Sequence, residues 1–203
     1  AAFFYVTNWV YIFADQSYFE QIGRPPLLQH LWSLAVEEQF YLIWPAVVVL
    51  VVARGGRSRL ALVALVGAVL STIWMITLAI RGDMPGAVDP SRIYFGSDTH
   101  AMGLLLGAAL ACVWRPARMR SMVAPSARKA IDTIGIGALA LLLVVYFTVP
   151  EDSYFLYRFG GFLWLSVIVA VLLVMASHPA GRLGPILGRQ PLRYIGERSY
   201  GLY

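Results

Sequence analysis

The chain has 203 residues, 59% hydrophobic and only 13% charged. That is about half the charged fraction of an ordinary soluble domain, and it argues against a water-soluble globule. The net charge of +5 does not point to nucleic acid, because the cations sit in the connections between apolar runs, where they act as topology signals.

Read in chain order, Ala1–Phe13 is an incomplete apolar segment with no basic flank of the signal-peptide kind. Five complete spans follow, at about Ser33–Val52, Leu60–Ile80, Ser97–Trp114, Ile131–Val149 and Phe159–Ser177, and another begins at Tyr200. Within them Leu60–Ile80 and Ile134–Val149 are free of charge and approach the ~20 residues that cross a bilayer as helix. The runs are too long and too evenly apolar for the alternating strands of a barrel, and a bilayer admits only helices or closed barrels. The expected fold is therefore all-α, a polytopic transmembrane helical bundle. It is a single membrane-embedded domain over residues 1–203, expected to be cut off at both ends. Cys112 is the only cysteine, so no internal disulfide forms, and a small apolar filler is its expected role.

The connections alternate in charge. Arg54, Arg57 and Arg59 follow the first complete span, and Asp83 and Asp89 mark the second connection. Arg115, Arg118, Arg120, Arg128 and Lys129 fill the third, Glu151 and Asp152 the fourth, and Arg182, Arg189, Arg193 and Arg198 the fifth. Basic connections favour the cytoplasm. The chain is thus expected to be multi-pass in the plasma membrane, with the Ser33 and Asp98 ends of their spans extracytoplasmic.

The chemistry concentrates in His30-Leu-Trp32-Ser33-Leu-Ala-Val-Glu37-Glu38-Gln39-Phe-Tyr41-Leu-Ile-Trp44-Pro45. Ionisable groups inside a span are costly and usually line a cavity or pair with one another. At helical spacing Ser33, Glu37, Tyr41 and Trp44 form one stripe that His30 can join, while Glu38 projects about 100° away. A hydroxyl, a carboxylate, a phenol and an imidazole on one face suit a hydroxylated ligand and proton transfer. The plainer alternative places Glu37 and Glu38 at the water interface near a helix N-terminus, with Trp32 and Tyr41 in an aromatic belt.

Further along, Arg92, Asp98 and His100 form either a polar cluster facing Glu37 or an Asp cap with an interfacial Arg. Gly103 and Gly107 read as a helix-packing pair. Arg182, Arg189 and Arg193 are topology determinants or contacts for donor phosphates. Ser199 and Tyr200 open a helix at that same face, with Ser199 its cap or a donor ligand. No metal-ligand spacing, Gly-x-Ser-x-Gly elbow or nucleotide-cradling glycine loop is present.

The stretch from His30 to Pro45 resembles the signature of the acyltransferase 3 family. Arg92-Ile-Tyr-Phe-Gly-Ser-Asp98-Thr-His100-Ala-Met-Gly103 and Leu192-Arg193-Tyr-Ile-Gly196-Glu-Arg-Ser199-Tyr200-Gly-Leu-Tyr203 are similar to two later family segments. The resemblance implies a membrane protein of about ten spans that moves an acyl group from acyl-CoA, a co-substrate rather than a bound cofactor, to a hydroxyl of an envelope carbohydrate or glycolipid. Together with the helical stripe, it makes Glu37, His30, Ser33 and Tyr41 the catalytic candidates. Trp32, Glu38, Gln39, Arg92, Asp98 and His100 are expected on the substrate, and Arg189, Arg193, Ser199 and Tyr200 on the donor. The family's first helix, with an Arg and a His about ten residues on that is regarded as essential, precedes this sequence, so residues 1–203 alone are expected to be inactive. Position 100 is His where relatives often carry Arg, and only His titrates near neutral pH. The rival class is a transporter or flippase, which would show discontinuous spans in two matching halves.

Overall fold

A computed structural model describes residues 5–19, 30–119 and 123–202, with side chains through 199. Among these residues the chain is all helix and turn, with no strand. Ala1–Phe4 of the first partial span, Arg120 and the side chain of Tyr200 lie outside the described residues.

Helix α1 is Thr7–Phe13 and α2 is Leu31–Arg81. The 51 residues of α2 are interrupted at Gly56, whose φ of 70° and ψ of −171° are a glycine conformation. The chain reverses there. Gln39, before the break, and Ser71, after it, both bond to the start of the following membrane helix, while Arg57, beside the break, reaches the carbonyl of Ala111 near that helix's far end. The two limbs therefore run antiparallel along one neighbour. The expected spans Ser33–Val52 and Leu60–Ile80 are these limbs, but no loop separates them. Arg54 and Arg59 donate to the carbonyls of Leu50 and Arg54, so backbone acceptors near the break keep partners and helix resumes at once.

Helices α3, Ser91–Phe95, and α4, Ser97–Val113, are separated only by Gly96 in extended conformation. Then come α5, Pro125–Thr148, α6, Tyr154–Arg158, α7, Gly161–Ser177, α8, Leu183–Leu187, and α9, Leu192–Leu202. Among the described residues, three helical stretches are long and apolar enough to cross a membrane: Leu31–Arg81, Ser97–Arg118 and Pro125–Thr148. The apolar α7 has 17 residues, roughly 26 Å of helix. Helix α5 begins ahead of the expected Ile131 because Pro125 suits a first helical position.

The chain divides into two compact units, Ala1–Val113 with Val149–Ser166, and Trp114–Thr148 with Val167–Tyr203. In the first, small residues of the second limb of α2 (Ala61, Ala64, Ala68, Ser71, Thr72 and Ala79) are buried. They let two backbones approach, which is how membrane helices associate without a hydrophobic driving force between them. The expected Gly103/Gly107 pair does not supply this contact: a Cβ on Gly103 would meet only the hydroxyl of Ser166, and one on Gly107 nothing within 4 Å. The core of this unit gathers Met75, Ile93, Met102, Leu156 and Tyr157. Burial pushes the Tyr157 phenol above its ordinary pKa. At one edge Arg158 pairs with Asp83 and holds that carboxyl below the usual range.

In the second unit only Gly135 of α5 is buried, where a Cβ would meet Leu183 and Met175. Ile136, Val144 and Phe147 remain exposed. A helix apolar on its open faces belongs in lipid or against other membrane helices.

Candidate functional site

The polar residues of the first unit converge where α1, the first limb of α2, and the α3–α4 junction meet. Gly96 interrupts the helix between α3 and α4 and frees the Phe95 carbonyl, which accepts from Asn8 Nδ2 at 3.0 Å. The same amide donates to Ser97 Oγ at 2.8 Å, Ser97 Oγ donates to Gln39 Oε1 at 2.6 Å, and Gln39 Nε2 donates to Asn8 Oδ1 at 3.0 Å. These three bonds close a ring. Gln39 also donates to the Tyr5 carbonyl and accepts from Trp9 Nε1, so its amide is fully committed to protein partners. Asn8 has no exposed surface. A buried amide pair of this kind is tolerated only because donors and acceptors match throughout, and it then fixes three helices in register.

Beside the ring lies a second cluster. Arg92 forks onto Asp98 with bonds of 3.1 and 2.8 Å, and Trp74 Nε1 donates to the same carboxylate at 2.8 Å. The Arg92 guanidinium also lies over the Trp9 ring, 5.3 Å from its centroid. Asp98 lies inside the first turn of α4, and its partners Arg92 and Trp74 fix it between α3 and the second limb of α2. Gly96 makes this possible: a Cβ there would fall 2.4 Å from Arg92 Nη1, 2.5 Å from Asp98 Oδ1 and 2.7 Å from Thr99 Oγ1.

His100 sits one turn into α4, edge-on to Trp32 and Tyr94 at 5.5 and 5.6 Å and 5.4 Å from Phe162. Its Nδ1 is buried without a hydrogen-bond partner among the described residues.

Among the described residues, two cavities flank these groups. One, of about 250 Å³, is polar, lined by Asp15, Gln16, Asp89, Ser91 and Arg92 with Tyr11 and Phe95. The other, of about 350 Å³, is mostly apolar, lined by Val36, Phe40, Ile43, Trp44, Leu104 and Leu105 and bordered by Gln39 and Ser97. Asn8 links their walls through the Phe95 carbonyl on one side and Gln39 and Ser97 on the other.

The signature residues divide by face. Trp32, Ala35 and Val36 are buried, and Gln39 continues that face. Ser33 and Glu37 are half-buried and Tyr41 is exposed, on the side turned away from Gln39 by helical spacing. Glu38 is half-buried and His30 exposed just ahead of α2. Ser33 Oγ donates to the His30 carbonyl, and Trp44 stacks on Phe40 at 5.1 Å. Asp98 and His100 share one helix, and the carboxylate's partners are Arg92 and Trp74. Asn8, Trp9, Trp74 and Ser97 carried no signal in the sequence, because their partners lie 24 to 89 residues away.

In the second unit, Ser199 does not open a helix. Helix α9 starts at Leu192, held by an Arg193–Glu197 pair at 2.7 Å and by Arg198 over the Tyr194 ring, and Ser199 Oγ bonds back to the Gly196 carbonyl. Arg189 is exposed. Among the described residues no group of His, Cys, Asp and Glu is placed to hold a metal.

Apolar helices with lipid-ready faces, and within the first unit an internal polar cluster, define an α-helical integral membrane protein. The chain belongs to the acyltransferase 3 family: the family model, described as an acyltransferase domain, matches residues 1–203. It is 45% identical over 206 residues to the peptidoglycan O-acetyltransferase OatA of Listeria monocytogenes, covering all of this chain and 32% of the relative. It is 44% identical to the putative peptidoglycan O-acetyltransferase YrhL of Bacillus subtilis, with all of this chain and 31% of the relative covered. It is 37% identical to the O-acetyltransferase OatA of Staphylococcus aureus, with all of this chain and 32% of the relative covered. The chain thus spans about a third of the length of these curated relatives. No solved structure matches it.

Proposed function

We propose that the protein containing this chain transfers an acetyl group from acetyl-CoA to a hydroxyl of a cell-envelope carbohydrate, with peptidoglycan the leading acceptor. The observation that carries this reading is the match along the whole chain, at 45% identity, to a protein named a peptidoglycan O-acetyltransferase. In the transfer, the acceptor oxygen attacks the thioester carbon, the carbon–sulfur bond breaks, and the hydroxyl proton passes by way of a base to the departing thiolate. By family resemblance the proposed base is a His on another helix of the complete protein.

Glu37 is the proposed partner of that base or of the acceptor hydroxyl, on a stripe with Ser33 and Tyr41 and with His30 at its upper end. This stripe faces away from the Asn8–Gln39–Ser97 ring, where a further helix of the complete protein can supply the base. Trp32, Glu38, Arg92, Asp98 and His100 are proposed to shape the acceptor side, and the polar cavity beside Arg92 has the hydroxyl-matching groups this requires. In Gln39 the amide is already spent on protein partners, so its contribution to substrate binding is to hold the wall in place. The five-span count and the orientation with basic connections in the cytoplasm belong to the same proposal. So do donor contacts from Arg189, Arg193, Ser199 and Tyr200.

The test is the pair Glu37→Gln and Glu38→Gln in the full-length protein, with acetyl transfer normalised to folded enzyme. Glu37→Gln should lose about 100-fold or more in turnover, the lower range for a lost acid–base group, and Glu38→Gln should keep most of it. A fully active Glu37→Gln variant removes this stripe from the mechanism.

A further inference from the structure

The second unit contains a cleft that neither the family signature nor the polar ring involves. It has a volume of about 330 Å³ and is lined by Arg128, Lys129, Asp132, Thr133 and Arg182 over apolar Val123, Pro125 and Ile136. Two segments remote in sequence build it. The Asp132 carboxylate accepts from the Arg182 backbone N–H at 2.7 Å, which ties the start of α5 to the turn before α8. Arg128 Nε donates to the Ala180 carbonyl at 2.9 Å. That bond uses one edge of the guanidinium and fixes its plane, leaving the terminal nitrogens without a partner among the described residues. The side chains of Lys129 and Arg182 likewise have no partner among them.

Three cations therefore line one cleft against a single carboxylate, and that carboxylate already accepts a bond. Such crowding is unfavourable alone. Arg128 also lies in the first turn of α5, with Lys129 next in sequence; that turn carries no acidic residue and its positive end repels cations. An anion in the cleft relieves both terms. The pairing of a planar, pre-oriented Arg fork with a flexible Lys suits phosphate oxygens better than a lone carboxylate. The apolar side of the cleft continues along a helix apolar enough to cross the membrane, which puts the cations at the level of lipid phosphates.

We propose that Arg128, Lys129 and Arg182 form a phosphate-binding site at the membrane surface, occupied by the phosphodiester of an anionic phospholipid or by a phosphate of soluble coenzyme A. Basic pockets at helix ends are the usual receptors for such headgroups.

The experiment titrates purified full-length protein in detergent, separately, with phosphatidylglycerol and with coenzyme A, following bound ligand by native mass spectrometry. The comparison is with Lys129→Gln and Arg182→Gln, neither of which removes a side-chain bond made to the protein. Affinity for at least one ligand should fall about tenfold or more in each variant, equivalent to roughly 1.4 kcal/mol, and should weaken in the parent as salt rises. Loss confined to phosphatidylglycerol identifies a lipid headgroup site, and loss confined to coenzyme A a soluble-phosphate site. Equal binding of both ligands by the parent and both folded variants, or binding of neither, overturns the proposal.

Discussion

Gln39 and Ser97 are 58 residues apart and share a 2.6 Å hydrogen bond that joins the first limb of α2 to the start of α4. The bond belongs to a closed ring with Asn8, so neither partner can leave without stranding a donor or acceptor in a buried place. The signature stretch is thereby anchored on its Gln39 face, and the Glu37 face is free to meet other helices.

Gln39→Leu should therefore lower the thermal stability of the full-length protein, by about 1–3 kcal/mol, the usual cost of leaving buried polar groups unpaired. Ser97→Ala should cost a similar amount. The double variant should cost clearly less than their sum, because the second change removes a group already orphaned. Melting curves in detergent for the parent, both single variants and the double variant provide the cycle, and strict additivity would show that the ring does not act as a unit.

Gly96→Ala should separate Arg92 from Asp98, since the added methyl would occupy space held by both side chains and by Thr99. The loss should be about 1.5–3 kcal/mol, the range for charge-assisted hydrogen bonds. In an Arg92→Ala background the same substitution should cost markedly less. Thermal melts of the four variants check this, and an unchanged penalty for Gly96→Ala without Arg92 would mean that Thr99, not the ion pair, sets the limit.

What the sequence disclosed and what it hid follow from range. The apolar limbs of α2, the start of α4 at Ser97 and the apolar α5 are local patterns, and they match the expected spans closely. The turn at Gly56 reads as a loop in sequence because Arg54, Gly55, Gly56 and Arg57 resemble any polar connection. Only the Gly56 conformation and the Arg bonds to nearby carbonyls make it a one-residue break. The start of α9 was obscured by Arg193, Glu197 and Arg198, which look like a connection but pair at helical spacing. The ring of Asn8, Gln39 and Ser97 could not be read at all. Nothing near Asn8 announces a partner 89 residues away.

Orientation is testable with the two ends of the second limb of α2. In a Cys112→Ala background, Ala87→Cys should react with a membrane-impermeant thiol reagent added to intact cells, and Ser58→Cys should react only after the membrane is opened. Both positions are exposed, and neither needs the left-handed backbone of Gly56. Reversed labelling would place the basic connections outside and the Asp98 end of α4 within the cytoplasm.

The most direct measurement is the fate of labelled acetyl. Full-length protein reconstituted in liposomes and given acetyl-CoA radiolabelled in the acetyl group should pass label to peptidoglycan fragments or another envelope carbohydrate. The label should be released by mild alkali, as an O-acetyl ester is, and the transfer should fail with Glu37→Gln. Label that stays on coenzyme A in the presence of every envelope carbohydrate tested, with the protein folded and correctly inserted, would contradict the proposal that the protein containing this chain is an O-acetyltransferase.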